Sequence, residues 1–521
     1  MPIAANSIRK TFNSKNSFPA PGSAEERAAY KLLEGSFAKQ FDTIFPDKLA
    51  PRTVVISPSL SLDMEILSKI KGAPYYEERL LCLLMLLRMP LTKVIYLTSM
   101  PVADSIVDYY LHLLPGISSG HARQRLTLLS CYDNSVKPLT QKILDRPRLM
   151  EKIRELITDV HAAHLTCYNI TDLEKTMAVQ LGIPLFGTDP DKFYEGSKSG
   201  GRKNFRESGV KFPDGFEDLH SQEDMVSSLA ALKRKYPTMR KAVVKMNDGF
   251  SGDGNAMYAY SPNVPDNLLE KSIAETLHEH LKPVSKEVSI QLFLDKFHDM
   301  GGIVEEFLDG EVKMSPSVQC VISPSGQIEM VSTHDQLLGG DDGQIFIGAI
   351  FPADKSYSVL IAEEGRKIAK TLASRGAMGR FAIDFISVKQ PDDSWMHYAI
   401  EINLRKGGTT HPFLMLQFLT DGNYNADTGE YITAAGYKRY YFASDNVCSD
   451  LYKGLTPDDL MQISIFHNLM YDGAAQEGVI FHMIGALSEF GKLGLVCIGS
   501  SPENARAYYD KTLEILDFEC E

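Results

Sequence analysis

The chain is predicted to fold as an α/β layer followed by an α+β unit and a smaller α/β tail. Three observations predict this. Between residues 45 and 185, short β-branched runs alternate with helical segments, the pattern of a parallel sheet with crossover helices. From 286 to 403, several strand-like runs follow one another across polar turns, which suits a mixed antiparallel sheet with flanking helices. Beyond residue 413 the composition shifts to two capped helical starts and two apolar strand-like runs.

The elements follow in order. Residues 1–44 are a tail and a helix. The first 24 residues carry Arg9, Lys10 and Lys15 without an acid, a weak echo of an organelle transit segment, although a floppy tail is the simpler reading. Ser23 caps a helix over 23–40, with Glu25 and Glu26 in its first turn. Thr53–Ser57, Lys93–Thr98 and Leu126–Cys131 are strands, and Leu80–Leu87 is an apolar helix stopped by Pro90. Residues 187–215, rich in Gly, Lys, Ser and Arg, read as a loop-prone link. Ser221-Gln-Glu-Asp224 is a capping box opening a helix with Met225, Leu229 and Leu232 on one face, ended by Pro237. Strands are expected at Val288–Phe293, Gly302–Leu308, Val318–Ile322 and Ile345–Ile350. A helix at about 357–375 precedes strands Arg380–Val388 and Trp395–Asn403. Thr456-Pro457 and Ser501-Pro502 start two helices, and Gly478–Leu487 and Leu493–Ile498 are candidate strands.

Composition narrows the function classes. The net charge of −13 argues against a general nucleic-acid binder. Seven scattered cysteines without Cys-x-x-Cys suit reduced thiols rather than a disulfide frame or zinc site. No apolar run is long enough to span a bilayer. A cytoplasmic location is therefore expected.

Four stretches carry candidate chemistry. Residues 241–255 place Lys245 at the end of a β-branched run, followed by Gly249, Ser251, Gly252 and Gly254. This is either a hairpin turn or a grip for a nucleotide triphosphate, since glycines let backbone N–H groups approach phosphate. It is neither a Walker A loop nor a Gly-x-Gly-x-x-Gly dinucleotide loop. Ile303–Gly310 ends a strand in Glu305, Glu306, Phe307 and Leu308, which suits either an adenine-binding edge or a plain Asp-Gly turn. Asp384 sits among apolar neighbours on a predicted central strand, and a buried carboxylate needs a partner or a metal. In 398–405, period two puts Glu401, Asn403 and Arg405 on one face. Magnesium takes oxygen ligands and shares them with phosphates, and arginine forks onto phosphate.

These residues, in this order, resemble the ATP-grasp superfamily of carboxylate–amine ligases over about 180–415. The resemblance implies that Lys245 is the second phosphate-binding lysine and Gly249–Gly254 the phosphate-covering loop. The first lysine matches Lys198, in Gly196-Ser-Lys-Ser-Gly-Gly-Arg-Lys-Asn-Phe-Arg-Glu-Ser-Gly-Val-Lys-Phe-Pro213. It implies that Glu305–Leu308 form the adenine hinge, that Asp384, Glu401 and Asn403 hold Mg2+, and that Arg405 contacts phosphate or acyl-phosphate. Asp384 stands where many members have glutamate.

A closer resemblance, to the pheganomycin-type peptide ligases, covers most of the chain. It rests on Ser57–Ser61, Tyr76–Leu81, Tyr109–Leu111, Gln336–Gly340, Gly407–Pro412 and Phe481–Lys492. It implies a Rossmann-like pre-ATP-grasp domain at 45–185, an ATP-grasp domain at 186–415 and a C-terminal domain at 416–521. The implied reaction uses ATP to join a carboxylate to the amine of an amino acid or peptide through an acyl-phosphate. Small-molecule substrates are expected, with no nucleic acid, no membrane and a homodimer as the candidate assembly. His334 and His411 are candidate bases, and Arg202, Lys203 and Arg206 candidate contacts for an acidic substrate. A small-molecule kinase and a catalytically silent nucleotide-binding module remain the alternatives.

Overall fold

The computed structural model describes residues 18–62, 64–249, 254–285, 288–339 and 345–521. Four parallel strands build the N-terminal sheet, in the order Leu126–Ser130, Thr92–Thr98, Arg52–Ser57, Ala163–Cys167. All six residues of Arg52–Ser57 are buried, as expected of a parallel strand covered on both faces. The sequence reading found the first three strands and missed Ala163–Cys167. Ser23 caps the helix Ala24–Ile44, whose Tyr30, Leu33 and Phe37 are buried. The apolar segment around Leu80–Leu87 is a 3₁₀ helix, Ala73–Arg88, rather than the α-helix its composition suggested. It is apolar nearly all round because it is buried nearly all round.

A five-stranded antiparallel sheet follows, ordered Gly215–Leu219, Gly302–Glu306, Lys241–Met246, Asn255–Ala259, Leu281–Pro283. The helix Gln222–Lys235 lies against it, with the Ser221–Asp224 capping box formed as expected. Two expectations are corrected here. Val288–Phe293 is not a strand: Ser289 caps a helix, Ile290–Met300, whose Phe293, Leu294 and Phe297 recur at helical spacing and are buried. The link at 187–215 is not mainly loop: it carries the helix Lys198–Glu207. Its glycines serve close packing, since a Cβ on Gly200 would stand 1.8 Å from the Tyr194 carbonyl oxygen.

Among the described residues the third sheet has nine strands. Its path runs Lys313–Met314, Gly379–Lys389, Pro316–Ile322, Ile328–Gly339, Ile345–Phe351, Tyr440–Cys448, Lys492–Gly499, Gly478–His482, with Trp395–Asn403 paired to Gly379–Lys389. The strands beyond residue 416 thus prolong this sheet through the pairing of Tyr440–Cys448 with Ile345–Phe351. They also share a core with the N-terminal unit, in which Tyr96 and Tyr110 belong to one cluster with Phe351, Tyr441 and Ile498. Among the described residues no helix is long and apolar enough to cross a membrane. All seven cysteines are free.

Candidate active site

A cavity of about 760 Å³ is lined by the five-stranded sheet on one side and the nine-stranded sheet on the other. Lys198, Lys245, Gly249, Gly254, Glu305, Glu306, Phe307, Leu308, Asp384, Glu401, Asn403 and Arg405 all line it. Ser251 and Gly252 lie outside the described residues.

The two lysines are held by one local construction. Ser197 caps the helix Lys198–Glu207 by accepting from the Gly200 N–H at 3.0 Å. The Lys198 N–H donates to the Asn247 carbonyl at 3.1 Å, and the Ser199 N–H to Asn247 Oδ1 at 2.9 Å. The start of this helix is thereby tied to the end of the Lys245 strand. Lys245 Nζ lies 2.5 Å from Glu305 Oε1, across paired strands. Lys198 Nζ lies 2.7 Å from Glu401 Oε1. At the mouth, the Met246 N–H donates to the Gly254 carbonyl at 2.9 Å. A Cβ on Gly249 would stand 3.0 Å from Gly254 Cα, so the two ends of the loop meet as closely as glycine allows.

The carboxylates come from adjacent strands. Asp384 is in register with Glu401 on one side and Ser317 on the other. Gln336 Nε2 donates to Asp384 Oδ1 at 2.8 Å, and Asn403 Nδ2 to Oδ2 at 3.1 Å. Burial, and then the facing Glu401, push the Asp384 carboxyl up to about 6. Burial also acts upward on Glu401, but Lys198, Lys245 and Arg405 together hold it below the usual carboxylate range. Arg405 lies just past the strand end. Its N–H donates to the Asn403 carbonyl at 2.8 Å, and its Nη1 to the Lys406 carbonyl at 3.2 Å.

Toward the other sheet, Lys313 Nζ sits 4.6 Å from the Phe307 ring centroid and donates to the Leu308 carbonyl at 3.1 Å. Glu306 Oε1 accepts from the Asp214 N–H at 2.9 Å.

The donor set fits a hard divalent cation that completes its shell elsewhere. Asp384 and Glu401 are adjacent carboxylates of which one is pushed toward the neutral form, a tension that a divalent charge relieves. Among the described residues no group of three His, Cys, Asp or Glu side chains forms a complete metal cage. Magnesium usually takes one or two carboxylates and draws further ligands from water and phosphate.

Two sets of candidates fall away from the cavity. Arg202, 2% exposed, is locked between Glu217 at 3.1 Å and Glu305 at 3.2 Å. Lys203 pairs with Asp218 at 2.7 Å and Arg206 with Glu217 at 2.6 Å. These pairs tie the helix Lys198–Glu207 to its neighbours, and none of the three is among the residues lining the cavity. His334 is fully buried, with Nε2 2.5 Å from the Tyr441 hydroxyl, and burial followed by the nearby Arg380 charge hold it down to about 3. His411 bonds the Arg79 carbonyl at 2.9 Å and stacks on His482, and burial holds it down to about 4. Neither ring lines the cavity.

The structure also adds wall residues that sequence reasoning gave no role. Ser317, in register with Asp384, and Gln336, bonded to it, line the cavity together with Gln319, Tyr76, Arg79, Tyr168 and Asp445. Tyr76, Arg79 and Gln336 fall inside motifs that carried the family resemblance, but no spacing rule singled them out.

The chain matches the family model "IQCH-like, ATP-grasp" over 191–262 and 263–427, and the "PGM1 C-terminal domain" model over 467–512. It is 28% identical to L-propargylglycine–L-glutamate ligase of Streptantibioticus cattleyicolor, over 85% of this chain and 89% of that enzyme. It is 22% identical to IQ motif-containing protein H of Danio rerio, over 90% of this chain but only 48% of that protein. Among solved structures, biotin carboxylase of Campylobacter jejuni in complex with β,γ-ATP superposes with a TM-score of 0.52 at 13% identity, covering 88% of this chain and 89% of that one. The ADP complex of N5-carboxyaminoimidazole ribonucleotide synthetase gives 0.50 at 13% identity, covering 90% and 98%.

Proposed function

We propose, for a chain that belongs to the ATP-grasp superfamily of ATP-dependent carboxylate–amine ligases, that it joins an amino acid or peptide carboxylate to the amine of a second amino acid or peptide. The single observation that carries this reading is the convergence of two lysine–glutamate pairs, the Asp384–Asn403 contact and Arg405 on one cavity. The Streptantibioticus relative, whose name joins two amino acids, supports the substrate class.

In this reading Lys198 and Lys245 hold the phosphates of ATP, and the run Gly249, Ser251, Gly252 and Gly254 supplies backbone N–H groups to them. Phe307 and Leu308 wall the adenine, with the backbone of Glu305 and Glu306 at its edge. Asp384, Glu401 and the Asn403 amide oxygen would hold Mg2+, which would supply charge neutralisation at the phosphates. Lys198 and Lys245 exchange a glutamate for phosphate as the nucleotide enters, so the charges are in place before the reaction. The substrate carboxylate oxygen bonds to the γ-phosphorus as the bond to ADP breaks, giving an acyl-phosphate. Arg405 stabilises the phosphoryl group in transit. The amine nitrogen then bonds to the acyl carbon, the C–O bond to phosphate breaks, and the amine proton leaves with phosphate.

The test is an ADP-release screen of amino acids and dipeptides with ATP and magnesium, followed by mass spectrometry. The expected result is ADP together with an amide. A stable phosphorylated product would make the protein a kinase. ATP turnover left intact by Glu401→Ala would remove the catalytic reading.

A further inference from the structure

The cavity wall that carries Arg405 also carries an ion pair that the ligase mechanism does not use. Arg79 Nη2 and Asp445 Oδ2 are 2.5 Å apart, with side chains 10% and 9% exposed, and both line the cavity. They reach it by two unusual pieces of backbone. Arg79 lies on the 3₁₀ helix Ala73–Arg88, in which residues three apart eclipse one another. Tyr76 therefore sits directly beneath it, with its ring centroid 4.1 Å from the guanidinium carbon. Asp445 lies where the pairing of Tyr440–Cys448 with Lys492–Gly499 shifts register between Ser444 and Val447. Such a bulge re-aims side chains, and both Asp445 and Asn446 line the cavity.

The guanidinium is fixed from several sides. Its Nη1 donates to the Tyr168 hydroxyl at 3.1 Å, its face stacks on Tyr76, and Lys492 Nζ donates to the Tyr76 hydroxyl at 2.7 Å. Among the described residues its Nε, which is buried, has no hydrogen-bond partner. A buried donor left unsatisfied is costly and marks a place where an acceptor fits. A preformed pair of opposite charges facing a cavity is the electrostatic complement of a zwitterion.

We propose that Arg79 and Asp445 form a subsite for the free α-amino acid end of a substrate, with Arg79 taking the α-carboxylate and Asp445 the α-ammonium. The proposal rests on the ligase reading and names the substrate class at one part of its cavity wall. A zwitterion entering here exchanges one ion pair for two, so no charge is left unpaired. Peptide acids or amines blocked at either group lose one of the two contacts.

The test is calorimetry of the full chain with magnesium and a non-hydrolysable ATP analogue, titrated with each of the twenty protein L-amino acids. Any that binds is compared with its α-amide and its N-acetyl form. Each blocked form is expected to bind about 10- to 100-fold more weakly, the scale of one lost charge-assisted hydrogen bond. Arg79→Gln should erase the preference for the free carboxylate and Asp445→Asn the preference for the free amine, with nucleotide affinity unchanged in both. A purely structural pair would not change these ratios. If Arg79→Gln fails to fold, the blocked ligands on the natural protein and Asp445→Asn decide. Failure of every free amino acid to bind, or equal binding of the blocked forms, would overturn the proposal. Amide formation from peptides in that event would leave the ligase reading standing.

Discussion

Lys198 Nζ and Glu401 Oε1 stand 2.7 Å apart, so the lysine proposed for phosphate and the carboxylate proposed for a cation form one ion pair on the cavity wall. The facing ammonium helps hold the Glu401 carboxyl below the usual carboxylate range, against the upward push of its burial. Lys198→Met should lower kcat/KM for ATP by about 10²- to 10³-fold, the usual scale for removing one preorganised charge at a phosphoryl group. It should also let the Glu401 carboxyl rise, because Lys198 is the first of the three cations that hold it down. The acid limb of the pH–rate profile should therefore move to higher pH. An unchanged acid limb would mean that Glu401 does not set it.

Asp384 makes the opposite prediction for stability. Its folded carboxyl lies at about 6, above the unfolded value of about 3.9. The folded state therefore holds a proton that the unfolded chain has released. That contribution is full below the unfolded value and is lost as pH rises through about 6. Asp384→Asn cannot ionise, so its melting temperature relative to the natural protein should climb between pH 4 and pH 6 and then level off. Magnesium with nucleotide should bind more tightly on the alkaline side of this range and release protons near pH 6. Calorimetry in buffers of different ionisation enthalpy would detect those protons.

Much of this site was legible in the sequence because it is built from strands. The period-two spacing of Glu401 and Asn403 placed both on the cavity side of Trp395–Asn403, and Asp384 does lie on a strand paired on both sides. Lys245 was legible for the same reason. The helix carrying Lys198 was harder: Gly200 and Gly201 look like loop residues until the Tyr194 carbonyl is seen where a Cβ would go. Ile290–Met300 failed through a wrong choice of period in a short apolar run, where Phe293 and Phe297 follow helical rather than alternating spacing. The Arg79–Asp445 pair was not legible, since its two residues are 366 apart and meet only after the C-terminal strands join the large sheet.

Arg202 separates structural from substrate-binding cations. Its guanidinium spans Glu217 and Glu305 and also donates to the Pro213 carbonyl at 2.8 Å. Glu305 in turn holds Lys245. Arg202→Ala removes a shared buried cation from two carboxylates that keep Lys245 and Arg206, so it should cost about 1.5–3 kcal/mol of stability in denaturant unfolding. KM for the acid and amine substrates should stay within about twofold once folded protein is compared at permissive temperature, against the tenfold that about 1.4 kcal/mol of lost binding would give. A stable variant with a raised KM for an acidic substrate would return Arg202 to the binding site.

The two histidines test whether the amine needs a protein base. His334 and His411 are held by burial down to about 3 and about 4, so both are neutral across the working range. His334 Nε2 meets the Tyr441 hydroxyl and His411 Nδ1 the Arg79 carbonyl, and neither ring is among the residues lining the cavity. A neutral imidazole whose value is depressed this far is a weak base and contributes no titration near pH 7. His334→Gln should therefore lower thermal stability, through loss of the Tyr441 contact and its packing on Phe351, while the shape of the pH–rate profile stays the same. His411→Asn should do the same, with the further mark that the stacked His482 loses its partner ring, 4.3 Å away. The decisive measurement is the profile of amide formation between pH 5.5 and 9 for both variants. A lost basic or acidic limb in either one would restore that histidine as the proton acceptor.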